Sequence, residues 1–148
     1  MPSILGIDPG QSGGIALIDD GEAGAWKMPE TERDVYNLIS DLGQHNPVAY
    51  IELVHSMPRQ GVASSFKFGV GYGGLRMVLI ALEIPFQTVA PGTWQRKMHC
   101  MSKGDKNVTK RRAQELFPSL HITHAVADAL LIASYGQQIT DTLARHDS

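Results

Sequence analysis

Short, continuously apolar runs dominate the first part of the chain. The runs at 3–8 and 13–19 are typical of strands buried on both faces of a sheet. A Pro-Gly pair separates them, and an Asp-Gly pair, which favours a tight hairpin turn, follows the second run. A further short strand is predicted at 25–28. The chain is therefore predicted to begin with three short strands joined by turns.

A helical spacing of apolar residues replaces these runs after Pro29. Thr31, with Asp34 three residues later, resembles a helix start, and Gly43 and Pro47 close the predicted helix. Strands are also predicted at 48–52 and 84–89, and helices at 64–82, 108–117 and 124–139, with a short helix or turn from 91 and a frayed tail after 139. This order predicts an α/β fold in which helices cover both faces of a mixed five-stranded sheet.

Four glycines weaken the predicted helix at 64–82. They are Gly69, Gly71, Gly73 and Gly74. Each costs on the order of 1 kcal/mol relative to alanine in a helix interior. Because a glycine lets another backbone approach closely, the expected compensation is a tight helix contact, either within the chain or with a second copy.

Length and composition indicate a globular protein of modest size. The 148 residues suffice for one domain, spanning 1–148, and 43% apolar and 19% charged residues are typical of a soluble protein. No apolar run approaches the roughly 18 residues of a membrane span, and no secretory signal begins the chain. The single cysteine, Cys100, excludes an internal disulfide and agrees with a reducing compartment. We expect a cytoplasmic protein without a membrane partner.

Basic residues are concentrated in one segment, although the formal net charge is −2. Seven of the 13 Lys and Arg residues lie between Arg96 and Arg112, where Asp105 is the only acid. One basic patch on an otherwise acidic body suits a polyanion that contacts one face. The alternative interpretation is a solvated loop and helix face.

Three acids stand where the predicted elements can bring side chains together. Asp8 ends the first strand, Glu52 ends the fourth, and Asp128 lies one turn into the last helix, with His124 four residues before it. If the first and fourth strands are neighbours, these acids converge and need a divalent cation to offset their repulsion. Such ligands favour Mg²⁺ or Mn²⁺, and two ions can activate a water and stabilise the leaving oxygen of a phosphodiester.

Each of these residues also has an ordinary structural interpretation. Asp8 is compatible with turn capping, Glu52 with a polar strand end, and Asp128 with a first-turn acid stabilised by the helix dipole. The choice between His124 and the nearby His121 as a fourth ligand stays open, because a histidine at a helix start is often only a cap.

Three segments together resemble the RuvC-type Holliday junction resolvases, especially their phage branch. They are GIDPG at 6–10, IE at 51–52 followed by SMPRQG at 56–61, and HAVADALLIA at 124–133. The resemblance implies a ribonuclease H-like fold and a homodimer that cuts four-way DNA junctions symmetrically with Mg²⁺ or Mn²⁺. It implies no nucleotide cofactor, and a place in a bacterial cell or a phage-infected host.

The resemblance also implies roles for the clustered side chains. Asp8, Glu52 and Asp128 match the metal-binding carboxylates, and His124 matches a fourth ligand that is Asp or His in the family. The chain departs from cellular RuvC proteins in one respect, because Asp128 is the fourth residue after His124 where those proteins have a spacing of three. This departure puts the fourth ligand in doubt more than the other three.

Further residues are candidates for contacts with DNA. Arg59 and Gln60 follow Glu52 in a loop expected to project beside the active site. Phe66 or Phe68 is expected to stack on an unpaired base, with a place in the helix core as the alternative. Phosphate contacts are expected from Lys103, Lys106, Lys110, Arg111 and Arg112. Affinity for DNA should then fall steeply with salt, and the glycine-rich helix should pack at the dimer interface.

Other functions compete with this interpretation. Actin-like and sugar-kinase ATPases open with a similar acid and glycine-rich hairpin, but they need a second domain that this chain lacks the residues to form. Within the same fold, the alternatives are a ribonuclease H-like nuclease for other branched nucleic acids and a junction-binding protein without catalytic activity.

Overall fold

One mixed five-stranded sheet forms the centre of the molecule. The computed structural model describes residues 2–54 and 61–147. The strands are β1 (Ile4–Asp8), β2 (Gly14–Asp19), β3 (Glu22–Lys27), β4 (Val48–Glu52) and β5 (Phe86–Val89). They lie in the order β3-β2-β1-β4-β5, with β1 antiparallel to β2 and parallel to β4. The predicted number of strands and their mixed character are confirmed.

The tight turn between β2 and β3 follows from its sequence. Asp20 and Gly21 both adopt positive φ values, of 49° and 81°, and an Asp-Gly pair tolerates this conformation at little cost. The parallel neighbours β1, β4 and β5 cannot be joined by such turns and need crossover connections. Helices α1 (Glu32–Leu42) and α2 (Val62–Ala81) lie in these connections.

The remaining helices follow β5 along the chain. They are α3 (Pro91–Lys97), α4 (Lys106–Leu116) and α5 (His124–Asp147). The expected frayed tail after 139 is wrong, because α5 continues to Asp147. The extension is held against the sheet, where the hydroxyls of Tyr50 and Thr140 lie 3.0 Å apart. Within the described residues, no helix combines the length and apolar character that crossing a membrane requires.

The sheet separates two apolar cores, as the sequence predicts. Alternate residues of each strand point to opposite faces. On one face Ile4, Ala16 and Tyr50 pack against α3, α4 and α5, and on the other Ile7 and Ile51 pack against α1 and α2. The two faces are therefore covered by different helices.

Glycines on the α5 face allow this helix to lie close to the sheet. A Cβ atom at Gly6 would collide with the backbone of Ala129 and Ala133, and one at Gly14 would lie 2.7 Å from the carbonyl oxygen of Ala125. Both contacts are too short for any larger residue. The first turns of α5 are thereby placed over β1 and β2.

The four glycines of α2 make no such contact with residues 2–54 or 61–147. A Cβ atom placed at Gly69, Gly71, Gly73 or Gly74 would have no neighbouring atom within 4 Å. The expectation of a tight contact inside the same chain is therefore wrong. These glycines lie on a surface of α2 that the described part of the chain leaves uncovered. Of the two expected partners, a second copy of the chain is the one that remains.

Candidate active site

Two acids end neighbouring parallel strands on the same face of the sheet. Ile7 of β1 pairs with Ile51 of β4, and Asp8 and Glu52 are the next residue of each strand. Because side chains alternate along a strand and the two isoleucines pack against α1 and α2, both acids point toward α5. The first and fourth strands are therefore neighbours, which is the condition that the sequence set for bringing these two acids together.

The first turns of α5 bring the third acid to this end of the sheet. Gly14 lies opposite Asp8 in the β1–β2 pairing and directly beneath Ala125. Asp128 follows one turn later in α5, half-buried, and His124 is the exposed first residue of the helix. The charges of Asp128 and Glu52 both act on Asp8, which shows that the three side chains share one electrostatic environment.

Burial raises the pKa of all three acids, and the charge of a neighbouring acid adds to the rise for Asp8 and Glu52. Burial is the largest cause of a rise in the pKa of Asp8 to about 8, and the charges of Asp128 and Glu52 add to it. Burial also raises the pKa values of Glu52 and Asp128. Nearby positive charge acts in the opposite direction, since Lys106 lowers the pKa of Asp8 and both Lys106 and His124 lower that of Asp128. The site therefore concentrates carboxyl groups where water solvates them poorly.

The chemistry of these donors fits a hard divalent cation, which carboxylate oxygens prefer and which would relieve their repulsion. The side chains are not arranged as a finished ligand set. Across residues 2–54 and 61–147, no group of three or more His, Cys, Asp or Glu residues stands in a geometry that could hold a metal ion. The acids thus interact through charge without converging on one coordination point.

Two neutral hydrogen-bond donors at the site were missed from the sequence. The indole Nε1–H of Trp94, in α3, donates to Glu52 Oε2 at 2.8 Å. The hydroxyl of Thr109, in α4, lies beside Asp128 and lowers the pKa of that acid when it donates to it; its other acceptor is the Lys106 carbonyl at 3.3 Å. The sequence does show a tryptophan just after β5. Because a buried indole N–H needs an acceptor, this residue could have been predicted to bond a polar group at the site.

The basic residues expected to contact phosphate divide into different environments. Lys103, Lys106 and Arg111 are exposed, and Lys110 is half-buried. Arg112 is held within the protein, since its Nε donates to the Met98 carbonyl at 2.8 Å and its guanidinium pairs with Glu115 at 3.0 Å. Of these basic residues, Lys106 is the one whose charge lowers the pKa values of Asp8 and Asp128.

The aromatic candidates on α2 also differ from one another. Phe66 is 74% exposed, whereas Phe68 is half-buried with its ring beside Gly10, in the turn that follows Asp8. Phe68 lines a cavity of about 720 Å³ between that turn, α1 and α2. Arg59 and Gln60 lie outside the described residues.

The chain matches known proteins by fold but not by sequence. No protein-family model matches the chain, and no curated protein matches it by sequence. A structure of Thermus thermophilus RuvC in complex with a Holliday junction substrate matches with a TM-score of 0.63 and 17% identity, over 94% of this chain and 96% of that chain. A second T. thermophilus RuvC structure matches with a TM-score of 0.61 and 16% identity, over 93% and 96% of the two chains. The resemblance seen in the three sequence segments is therefore confirmed at the level of the fold, and the chain has the ribonuclease H-like α/β fold of RuvC.

Proposed function

We propose that this protein is a metal-dependent endonuclease that resolves four-way DNA junctions by paired phosphodiester hydrolysis. The observation that carries the proposal is that Asp8, Glu52 and Asp128 lie at the same end of a RuvC-like sheet, where the charges of Glu52 and Asp128 act on Asp8. One of the matched RuvC structures is a complex with a Holliday junction substrate. The protein thus combines a RuvC-like fold with a cluster of acids suited to a cation.

Asp8, Glu52 and Asp128 would hold Mg²⁺ or Mn²⁺, with His124 as the candidate fourth ligand. Bound divalent ions activate a water and stabilise the leaving oxygen of a phosphodiester, most effectively as a pair. The chain's own contribution is to keep these carboxylates close together in a poorly solvated site. A bound cation would relieve the repulsion between the ionised carboxylates, in competition with the proton that burial keeps on Asp8.

The segment after β5 would orient the DNA backbone. The exposed Lys103, Lys106 and Arg111 provide positive charge on and before α4. Lys106 is close enough to the acids to alter their ionisation, so it is suited to holding the phosphate nearest to them. The contacts of Arg112 with Met98 and Glu115 favour a role in the protein's own structure instead.

A symmetric substrate suits a symmetric dimer. An exposed apolar stripe, here called the α2 stripe, follows one side of α2. It consists of Val62, Phe66, Val70, Met77 and Ile80, which are 52% to 88% exposed. Gly69 and Gly73 lie along the same side and leave room for a second backbone. We propose that two copies associate through this stripe.

Two finer assignments belong to the same proposal. We propose that the chain belongs to the phage-like branch of the RuvC-type resolvases, since its His124 to Asp128 spacing of four departs from that of the cellular proteins. We also propose that residues 1–148 act as one nuclease domain in a reducing cytoplasm, of a bacterial cell or a phage-infected host. The buried free thiol of Cys100 is compatible with that compartment.

Incubation with a synthetic four-way junction, a Y-fork and a linear duplex tests the function. Paired nicks in the junction are expected with Mg²⁺ or Mn²⁺ and none with EDTA. Asp8→Asn should retain junction binding and lose cleavage, which separates chemistry from recognition. Cutting of the Y-fork in preference to the junction would favour another branched substrate. Junction binding without cleavage by the unaltered protein under every metal would favour a binding protein.

A further inference from the structure

The buried indole of Trp94 lies directly against one of the acids. Trp94 is 0% exposed, and its Nε1–H donates to Glu52 Oε2 at 2.8 Å. An indole can donate through this hydrogen but cannot accept or ionise. The contact therefore fixes one oxygen of Glu52 without adding a charge or a further proton acceptor to the site.

The position of Trp94 follows from the sheet. Val89, the last residue of β5, pairs with Glu52 in the parallel register, and α3 begins two residues later at Pro91. The Trp94 backbone N–H bonds the Ala90 carbonyl at 3.3 Å, which starts the helix at the same sheet edge as the acid. The indole is thus carried to Glu52 by the strand next to it.

The other elements of the site hold α3 in place. The Met98 N–H bonds the Trp94 carbonyl at 2.9 Å. The Met98 carbonyl oxygen accepts a hydrogen bond from Arg112 of α4 at 2.8 Å. The Met98 sulfur accepts one from Gln138 of α5 at 3.7 Å. Helix α3 is therefore tied both to the helix that carries Lys106 and to the helix that carries Asp128.

We propose that Trp94 is a positioning residue, which holds Glu52 through Oε2 so that the second carboxylate oxygen is available to a divalent cation. This inference rests on the proposed function only in requiring a cation at the acids. The hydrogen bond also favours the ionised, ligating form of Glu52 and lowers its pKa against the effects of burial and of Asp128. Partners of this kind commonly change metal affinity 10- to 100-fold when removed.

Trp94→Phe removes the donor and keeps an aromatic ring in the core. Trp26→Phe is the matched control, because Trp26 is the only other tryptophan and is 38% exposed on the edge strand β3. Mn²⁺ binding to the full chain without DNA is measured by calorimetry. Trp94→Phe should weaken it about 10- to 100-fold, and Trp26→Phe should leave it unchanged.

Two further readouts distinguish positioning from a general loss of structure. Junction binding in EDTA should change little in Trp94→Phe, and cleavage should recover at high Mn²⁺. The thermal midpoint should fall by a few degrees, because the smaller ring leaves a cavity in the core. In the Trp26→Phe protein, Trp94 is the sole indole, and Mg²⁺ should shift its fluorescence with the same dissociation constant as calorimetry with Mg²⁺ gives. This second measurement tests the contact even if Trp94→Phe does not fold.

Wild-type Mn²⁺ affinity in folded Trp94→Phe, or Trp94 fluorescence that does not respond to Mg²⁺, would overturn the proposal. Absence of Mn²⁺ binding by the unaltered protein would overturn it as well. If the unaltered protein binds Mn²⁺ without cutting junctions and Trp94→Phe weakens that binding, the positioning role stands and the proposed nuclease function fails.

Discussion

Asp8 is the residue at which folding and the proposed function conflict most directly. Its pKa is raised to about 8, chiefly by burial, so the folded chain resists the ionised form that a cation requires. Burial raises the pKa values of Glu52 and Asp128 in the same direction. An arrangement that lowers stability and gathers ligands is characteristic of functional sites.

The stability of the metal-free protein should therefore fall as pH rises. Between the ordinary pKa of 3.8 and about 8, the unfolded chain has Asp8 ionised while the folded chain keeps it protonated. The folded state then binds more protons, so the free energy of unfolding decreases with pH across this window. The stabilising contribution is complete below pH 3.8 and is lost as pH passes about 8.

Asp8→Asn should remove most of this dependence, because the amide is never charged. At pH 8 in EDTA the variant should be more stable than the unaltered protein by a few kcal/mol, since each pKa unit corresponds to about 1.4 kcal/mol. Urea unfolding at pH 5 and pH 8 measures the effect. Asp20→Asn, in the exposed β2–β3 turn, is the control and should follow the unaltered protein. An Asp8→Asn variant that is less stable at pH 8 would contradict the prediction.

The acids proposed for the site were easier to find in the sequence than their hydrogen-bond partners. Asp8, Glu52 and Asp128 each stand at the end of a strand or near the start of a helix, and such positions can be read from local pattern. The contacts of Trp94 with Glu52 and of Thr109 with Asp128 join α3 to β4 and α4 to α5. Local pattern does not show which residues of distant elements meet, so these donors were not predicted.

At the scale of elements, the close packing of α5 on the sheet determines where Asp128 lies. Gly6 and Gly14 allow this approach, since a Cβ atom at either would meet the α5 backbone. The glycines of α2 have the opposite surroundings, with open space on the helix surface. The same residue type thus has two different structural roles in one chain.

Gly6→Ala and Gly71→Ala form a matched pair that separates these roles. Gly6→Ala should destabilise the protein by roughly 2 to 4 kcal/mol, because the added methyl overpacks the interface between β1 and α5. Gly71→Ala should stabilise it by about 0.5 to 1 kcal/mol, because alanine favours a helix and meets no neighbour. Urea unfolding of both variants at one pH gives the comparison. Equal effects of the two substitutions would contradict these assignments.

Most elements were predictable because their signals are local. The Asp-Gly turn, the Thr31 cap that accepts from the Asp34 N–H, and the buried runs all appear where expected. The end of α5 was missed because its last turns are polar, and contacts such as that between Tyr50 and Thr140 support them. The sequence does not show whether the α2 glycines contact another part of the same chain or a second copy, because both kinds of contact use the same glycine spacing.

At the scale of the whole molecule, positive charge near the acids contrasts with a net charge of −2. Junction affinity should fall steeply with salt, and Arg111→Gln should reduce the slope of log affinity against log salt by about one. Arg33→Gln is the control, because Arg33 is also exposed but lies on α1, which covers the other face of the sheet. Filter binding in EDTA across a salt series measures both slopes. Equal slopes for the two variants would contradict a DNA surface at α4.

In the proposed dimer, the α2 stripe is the surface that holds two copies of the molecule together. Val70 lies near the middle of the stripe, between Gly69 and Gly73, and is 52% exposed. Val70→Glu should raise the dimer dissociation constant at least 100-fold, because two like charges would be buried at the centre of a two-fold interface. Leu143→Glu places the same charge at a residue that is 54% exposed near the end of α5, and it should leave the dimer intact.

Sedimentation equilibrium of both variants measures association, and a junction labelled on two strands measures cleavage. A folded Val70→Glu monomer keeps all three acids, so it should still bind cations and nick one strand at a time. Paired nicks need two active sites on the same junction, and their yield should fall with the dimer fraction. Paired cleavage by a monomeric Val70→Glu protein would show that one copy suffices, and dissociation by Leu143→Glu instead would place the interface elsewhere.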